Sequence, residues 1–449
     1  LSCAVRNLDA FAGIMITASH NPKEYNGYKV YGEDGAQMSP EDTAEVVKYI
    51  SDITDYLSVK ETTIDAIKSK NNPQSLVVIG KSFQNRYYDE LVRLSLSKKA
   101  VRKVRKHIKI VYTPVHGSGY VPVMTILKKI GIKPVVVEEQ VAPDGNFPTV
   151  AVPNPEFKET LSMGIALADK VNADVVFGTD PDCDRLGVAI RNNEGEFETL
   201  TGNQTGILLL DYILQRLKAE DKLPANGVVI KSFVSTGMAK LICNGYNVEL
   251  VETPVGFKFI GEKIKEYEKT GEKTFLFGFE ESCGYLRGTH ARDKDAVVAS
   301  MLFAEMTCYY RFIGKSVYKR LCEIYDKYGY VLDYTDSIKY SGLDAMKEMN
   351  AAVEKMRLKD ITNIGIFSVC GVRDYLSGVR KSSEGETALD IKGVNCVYYE
   401  LLSGGFICLR PSGTEPKLKI YYSIKSKDKA LAEKQLEEIK SDFMKLLAE

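Results

Sequence analysis

Between residues 108 and 278 short apolar runs and helical patterns take turns, and this alternation restricts the fold of the chain more than any other feature of it. Residues 108–112, 134–137, 174–178, 227–232, 247–252 and 274–278 read as strands; 121–130, 155–170, 203–219, 237–244 and 256–269 read as the helices between them. Most of these strand runs are apolar on consecutive residues, the pattern of strands buried on both faces of a helix-flanked sheet. Units of the βαβ type follow, and with them an α/β fold. Beyond about Leu332 the order changes. A helix over 342–356, strands over 364–370, 396–401, 406–410 and 417–422 and a helix over 428–447 predict an α+β unit.

A chain of 449 residues exceeds what one core usually holds. The expected division is 1–105, 106–200, 201–330 and 331–449, with the basic stretch 98–109 as a connector between the first two units. Residues 11–17 (FAGIMIT) are expected as a buried strand running into a polar loop, and Ser39-Pro40-Glu41-Asp42 opens a helix to about residue 53. Sixty basic residues against sixty acidic ones leave no net field to draw the chain to nucleic acid or an anionic membrane. No apolar run approaches the ~18 residues of a membrane span, and the reading is cytoplasmic. Nine cysteines without CxxC spacing read as reduced and structural. A small-molecule partner fits best; oligomeric state is not legible in the residues.

Four polar loops stand out from their apolar flanks. Ser19-His20 follows the first strand, where a lone serine–histidine pair is most often a surface turn. Asp180, Asp182 and Asp184, in DPDCDR, alternate so that an extended backbone would face them one way. A hard divalent cation removes their repulsion, and few protein ligands with phosphate oxygen completing the shell is the Mg²⁺ pattern; a solvated acidic turn is the bland alternative. Calcium of the EF-hand type fails, because Arg185 and Arg191 stand where that loop needs Gly and Glu. Glu280 and Ser282, in GFEESCGY, suit sugar hydroxyls or a helix cap. Arg410, Ser412, Gly413 and Thr414, in RPSGTEPKLK, supply a guanidinium fork, hydroxyls and backbone amides for a phosphate, or a hairpin turn. The HGSG string at 116–119 is not a dinucleotide loop, since Pro122 occupies the third glycine position, and no GxSxG is present.

Taken together, TASHNP with YNGYK, DPDCDR, GFEESCGY and RPSGTEPKLK, in that order, resemble the four active-site loops of the α-D-phosphohexomutases. The resemblance implies three consecutive mixed α/β domains around a central cleft plus a C-terminal α+β domain. It makes Ser19 the carrier of the transferred phosphoryl group and a fourth metal ligand beside Asp180, Asp182 and Asp184. His20, Lys29 and Arg185 join it as catalytic groups, with the base left open between His20 and Lys29. Glu280 and Ser282 map to sugar-hydroxyl positions, and Arg410, Ser412, Gly413, Thr414 and Lys419 to the phosphate that is not transferred. Lys231, Gly256, Lys258 and Lys294 fall in family-like cleft segments, though the lysines equally read as surface residues with salt-bridge partners. Mg²⁺, a sugar phosphate substrate and glucose 1,6-bisphosphate as intermediate and activator are implied, with glucose ahead of mannose, pentose or a non-catalytic scaffold. The resemblance further implies that roughly a hundred residues of a usual first domain precede Leu1. A hinge near 330–336 is expected to swing the last domain onto its phosphate.

Overall fold

The computed structural model describes every residue except 59, 62, 70–75 and 413–415, and the side chains of all those described except 66, 68 and 69. Its second unit is a five-stranded sheet in the order Val135–Val136, Ile110–Thr113, Val175–Thr179, Leu186–Arg191, Phe197–Leu200. The first three strands are parallel and the last two antiparallel. The third unit is a four-stranded sheet in the order Gly284–Leu286, Thr274–Glu280, Gly227–Ser232, Glu249–Thr253, parallel except at Gly284–Leu286. Strands Ile110–Thr113, Val175–Thr179 and Gly227–Ser232 are buried along their whole length, with apolar runs at 110–112, 175–177 and 228–230 and Lys231 buried beside the last of them.

One helix that the alternation did not reveal binds these two units together. Ala296–Phe312 is buried on nearly every side and packs on helices Lys98–Val104, Tyr120–Lys129 and Gly202–Ala219. Being apolar all round, it shows no amphipathic period to read. Phe303 meets Phe177 of the second sheet edge to face at 5.7 Å, and a single apolar core runs from Tyr88 to Val331. Among the described residues no single helix is long and apolar enough to cross a membrane. The basic stretch expected as a connector is instead a helix, Lys98–Val104, which buries Ala100 and Val101 while Lys98, Lys99, Arg102 and Lys103 face outward.

The C-terminal unit is an antiparallel sheet in the order Tyr330–Lys339, Lys417–Ser426, Phe406–Pro411, Val397–Leu401, Phe367–Asp374, Val379–Ser382, Gly385–Ala388. Helices Ala345–Leu358 and Lys429–Ala448 supply Met349, Met356, Ile439 and Phe443 to its core. The expected hinge at 330–336 is corrected here. Those residues begin a strand that pairs with Lys417–Ser426 over all ten positions, so the ladder stiffens them. The break in regular structure lies one residue earlier, at Gly329, with φ +90° between helix Val317–Tyr328 and the strand.

The expectation of a buried strand at residues 11–17 also fails. Among the described residues Ala12–Ile16 pairs only with Tyr28–Gly32 in a two-stranded ribbon, and Phe11, Ile14 and Ile16 are 89%, 63% and 71% exposed. Helix Ser2–Asn7 covers the opposite face, where Gly13 sits against Val5 and Leu1. Helix Pro40–Ser51 forms as its cap predicts, with Ser39 accepting from the Asp42 amide at 3.0 Å.

Candidate active site

The aspartate loop leaves the carboxyl end of strand Val175–Thr179, the end at which open α/β sheets present their sites. Its carboxylates converge through a turn, and not through the extended backbone expected from their spacing. Asp180 Oδ1 accepts from the amides of Asp184 at 3.0 Å and Arg185 at 2.9 Å, and Cys183 takes a left-handed φ of +57°. One oxygen from each of Asp180, Asp182 and Asp184 lies within 4.8 Å of the others. Asp180 Oδ2 and Asp184 Oδ1 are buried without a hydrogen-bond partner. Burial, then the neighbouring Asp184 and Asp182 charges, push the Asp180 carboxyl well above its ordinary range. Two buried acceptors left open in a three-carboxylate cluster are the donor set that a hard cation completes, so the residues fit a metal ion.

Two lysines from other units already lean on this cluster. Lys29 Nζ reaches Asp182 Oδ2 at 2.8 Å and Asp184 Oδ2 at 3.0 Å, and Lys294 Nζ reaches Asp184 Oδ2 at 2.9 Å. Burial opposes the charge on Asp184, but Lys294 and Lys29 prevail and hold its carboxyl below the usual range. Burial likewise opposes the charged form of Lys29, and Asp184 and Asp182 overcome it, so Lys29 stays protonated.

Ser19 stands at the mouth of the cluster. Its Oγ donates to Asp182 Oδ1 at 3.3 Å and lies 3.2 Å from His20 Nδ1. Ser19 takes a φ of +55°, a conformation that costs a non-glycine residue roughly 1 kcal/mol, and its amide is held by Thr17 Oγ1 at 2.7 Å. Burial, with the Arg185 charge second, lowers the His20 imidazole to about 3, so the ring is neutral near pH 7. A hollow of about 440 Å³ opens beside these groups, lined by Lys29, Tyr31, Asp182, Asp184 and Lys294.

Arg185 places Nη1 2.6 Å from Glu156 Oε1, and the Asp184 and Asp180 charges act on it as well. Leu186 N donates to Cys283 O at 3.0 Å, which seats the loop of Glu280 and Ser282 beside the aspartate loop. Glu280 is buried there, its carboxyl raised by that burial against the Lys294 charge. Ser282 is half-buried in the same loop. Arg410 donates to Tyr421 Oη at 3.3 Å, and Ser412 N to Lys417 O at 2.8 Å. Burial lowers the Lys419 ammonium, with the Glu281 charge opposing and the Arg410 charge adding to it. Gly413 and Thr414 lie outside the described residues. Lys258 extends over the Phe259 ring at 5.1 Å and shares a small hollow with Tyr28 and Lys29. Gly256 has φ +122°, which a side chain would strain. Lys231 does not reach the hollow: its side chain is 2% exposed and fully engaged with Ser232 O, Ser235 O and Glu252.

Three supports escaped the sequence reading. The HGSG string, set aside as a false dinucleotide loop, buttresses the aspartates: Ser118 N and Oγ donate to Pro181 O at 2.8 and 2.9 Å. Glu156, in a turn before helix Lys158–Val171, was placed inside that helix. Asp293 ties the ribbon to the third unit, accepting from Tyr31 Oη at 2.7 Å and Gln37 Nε2 at 2.8 Å. None carries a local signal, because each acts on a residue distant in sequence.

Fold and loops define an α/β enzyme whose serine, carboxylate cluster and basic groups gather at the carboxyl ends of its strands. The chain belongs to the phosphoglucomutase/phosphomannomutase family: the models for α/β/α domains I, II and III match residues 1–57, 85–195 and 201–328. Phosphoglucomutases of Staphylococcus saprophyticus and Staphylococcus aureus (strain USA300) are each 36% identical to it. These alignments cover 94% and 95% of this chain and 75% and 74% of those proteins. The open form of the Paramecium phosphoglucomutase pp63/parafusin shares the fold, with a TM-score of 0.69 at 17% identity over 100% of this chain and 80% of that one.

Proposed function

We propose that this protein is a phosphoglucomutase, an isomerase that interconverts glucose 1-phosphate and glucose 6-phosphate through a phosphoserine and a glucose 1,6-bisphosphate intermediate, in the cytoplasm. The observation that carries the proposal is the Ser19 hydroxyl, 163 residues away in sequence from Asp182 and 3.3 Å away in space, facing a carboxylate cluster that two lysines attend. Relatives named phosphoglucomutase at 36% identity support the choice of sugar.

Ser19 carries the phosphoryl group. Asp180, Asp182 and Asp184, with the Ser19 oxygen, would hold Mg²⁺. Bound there, the ion supplies positive charge against the spread negative charge of a transferring phosphoryl group. Neutral His20, 3.2 Å from the Ser19 hydroxyl, offers a ring nitrogen for a hydrogen bond but, lowered to about 3, is a weak proton acceptor near pH 7; protonated Lys29 serves as fixed positive charge. Glu280 and Ser282 receive the sugar hydroxyls. Arg410, Ser412, Gly413, Thr414 and Lys419 hold the phosphate at rest, with Lys258, Gly256 and Lys294 along the cleft wall. After the first transfer the bisphosphate turns over and returns its other phosphate to Ser19.

The test is phosphate incorporation and turnover. Incubation with glucose 1,6-bisphosphate and Mg²⁺ should add one phosphate to Ser19 by mass spectrometry, and glucose 1-phosphate should yield glucose 6-phosphate in a dehydrogenase-coupled assay. Ser19→Ala should lose both. A wild-type protein without phosphate on Ser19 and without turnover would sink the assignment.

A further inference from the structure

A chain of charges joins the third unit to the C-terminal one and takes no part in the scheme above. Lys231, next to last in strand Gly227–Ser232, buries its ammonium and donates to Ser232 O at 3.2 Å, Ser235 O at 3.0 Å and Glu252 Oε1 at 2.9 Å. The other oxygen of that carboxylate, Glu252 Oε2, accepts from Arg373 Nη1 at 3.0 Å. Arg373 belongs to the C-terminal sheet, on strand Phe367–Asp374, and its Nε is held by Glu400 at 2.5 Å. Beside this contact Phe233 and Tyr375 stack across the same boundary, 4.4 Å apart and 11° from parallel. Burial alone would raise the Glu252 carboxyl; Lys231 and Arg373 hold it below its usual range.

The chain continues toward the cleft. The turn whose carbonyls clasp Lys231 offers two hydroxyls to Glu281 Oε2, Ser232 at 2.9 Å and Ser235 at 3.3 Å. Glu281 sits in the loop of Glu280 and Ser282, and its charge acts on Lys419 and Tyr421 next to Arg410. A buried ammonium demands partners, and Lys231 finds all of them on the turn and on Glu252. Moving the C-terminal unit away would strip Glu252 of Arg373 and leave it the Lys231 ammonium alone among its described cationic partners.

We infer that Lys231 and Glu252 are positioning residues that lock the C-terminal unit, through Arg373, to the turn supporting Glu281, and so fix the spacing between the phosphate cradle at Arg410 and the sugar loop. The inference rests on the mutase reading, which assigns both ends to one substrate. A unit that is loosened spends less time in the binding-competent orientation, which raises apparent KM by that fraction, while saturating substrate restores the orientation and spares kcat.

Glu252→Gln keeps the shape and removes the charge. Its KM for glucose 1-phosphate should rise about tenfold, equivalent to ~1.4 kcal/mol, with kcat changed less than about threefold. Arg373→Met breaks the same contact from the other unit and stands in should the first variant fail to fold; Arg373→Lys should recover part of the loss. The double variant should be no worse than the poorer single one. Backbone amide exchange over residues 232–236, read without turnover, should quicken in both single variants. Unchanged KM in both, additive losses, or unchanged exchange would overturn the inference. An inactive wild type with quickened exchange in the variants would sink the mutase reading and leave the lock standing.

Discussion

Gly117 offers a sharp test of how the aspartate loop is held. A Cβ built there would lie 2.4 Å from Pro181 Cα and 2.7 Å from Pro181 O. Carbon atoms prefer roughly 3.5–4.0 Å, so Gly117→Ala must open a gap of about 1 Å. The obstacle is backbone and cannot swing aside as a side chain would. Gly117 is not left-handed, so alanine's own backbone preference is not at issue. Pro181 sits between Asp180 and Asp182, and the displacement passes directly to the carboxylates. Overpacking of this kind costs about 1–3 kcal/mol of stability. A catalytic group misplaced by about 1 Å can cost on the order of 10²-fold in rate. The assay is glucose 1-phosphate turnover at saturating Mg²⁺, with a thermal unfolding curve and a Mg²⁺ titration. Gly117→Ala should fold, lose about 100-fold in kcat/KM and bind Mg²⁺ more weakly. Gly237→Ala serves as the control, because the nearest atom to its Cβ is 4.0 Å away. Near-native turnover in Gly117→Ala, or an equal loss in Gly237→Ala, refutes the buttress.

Glu156→Gln replaces the charged partner of Arg185 at 2.6 Å; loss of such a bond costs ~1.5–3 kcal/mol of stability and frees the guanidinium, so the unfolding temperature should fall and turnover should drop about tenfold; wild-type rates would refute the coupling. Chelation should abolish turnover, and Mg²⁺ at one hundred times its Kd should stabilise the chelated protein by ~2.7 kcal/mol, an effect Asp180→Asn should remove; unfolding indifferent to Mg²⁺ contradicts the metal site. Asp333 accepts from Ser423 Oγ at 2.6 Å, and burial pushes its carboxyl up from 3.8 to about 6. The folded chain therefore holds this proton more tightly than the unfolded one. Its contribution is complete below pH 3.8 and is lost as pH rises through 6, on the order of 3 kcal/mol. Asp333→Asn should flatten the stability curve between pH 4 and 6, and an unaltered slope there refutes the shift.

Much of the architecture is readable from the chain alone. Buried strands such as Gly227–Ser232 and Val175–Thr179 declare themselves through the apolar runs at 228–230 and 175–177, and the Ser39 cap announces its helix. Ala296–Phe312 stayed hidden because a helix buried on all sides has no polar face. The ribbon strand Ala12–Ile16 was misread for the converse reason: apolar residues mark a strand but do not say whether anything covers it.

The site divides in the same way. Residue types within one loop were enough to propose Asp180, Asp182 and Asp184 as a metal cluster and Arg410 as a phosphate fork, since that chemistry is local, whereas Ser19 as phosphoryl carrier rested on the resemblance of its loop to those of the phosphohexomutases. The tertiary structure alone decided which groups meet: Lys29 and Lys294 on one carboxylate, Glu156 on Arg185, Pro181 on Gly117, and Lys231 drawn from the hollow onto Glu252. Charge and burial act through space, and the fold sets those distances between residues that the chain keeps tens to hundreds of positions apart.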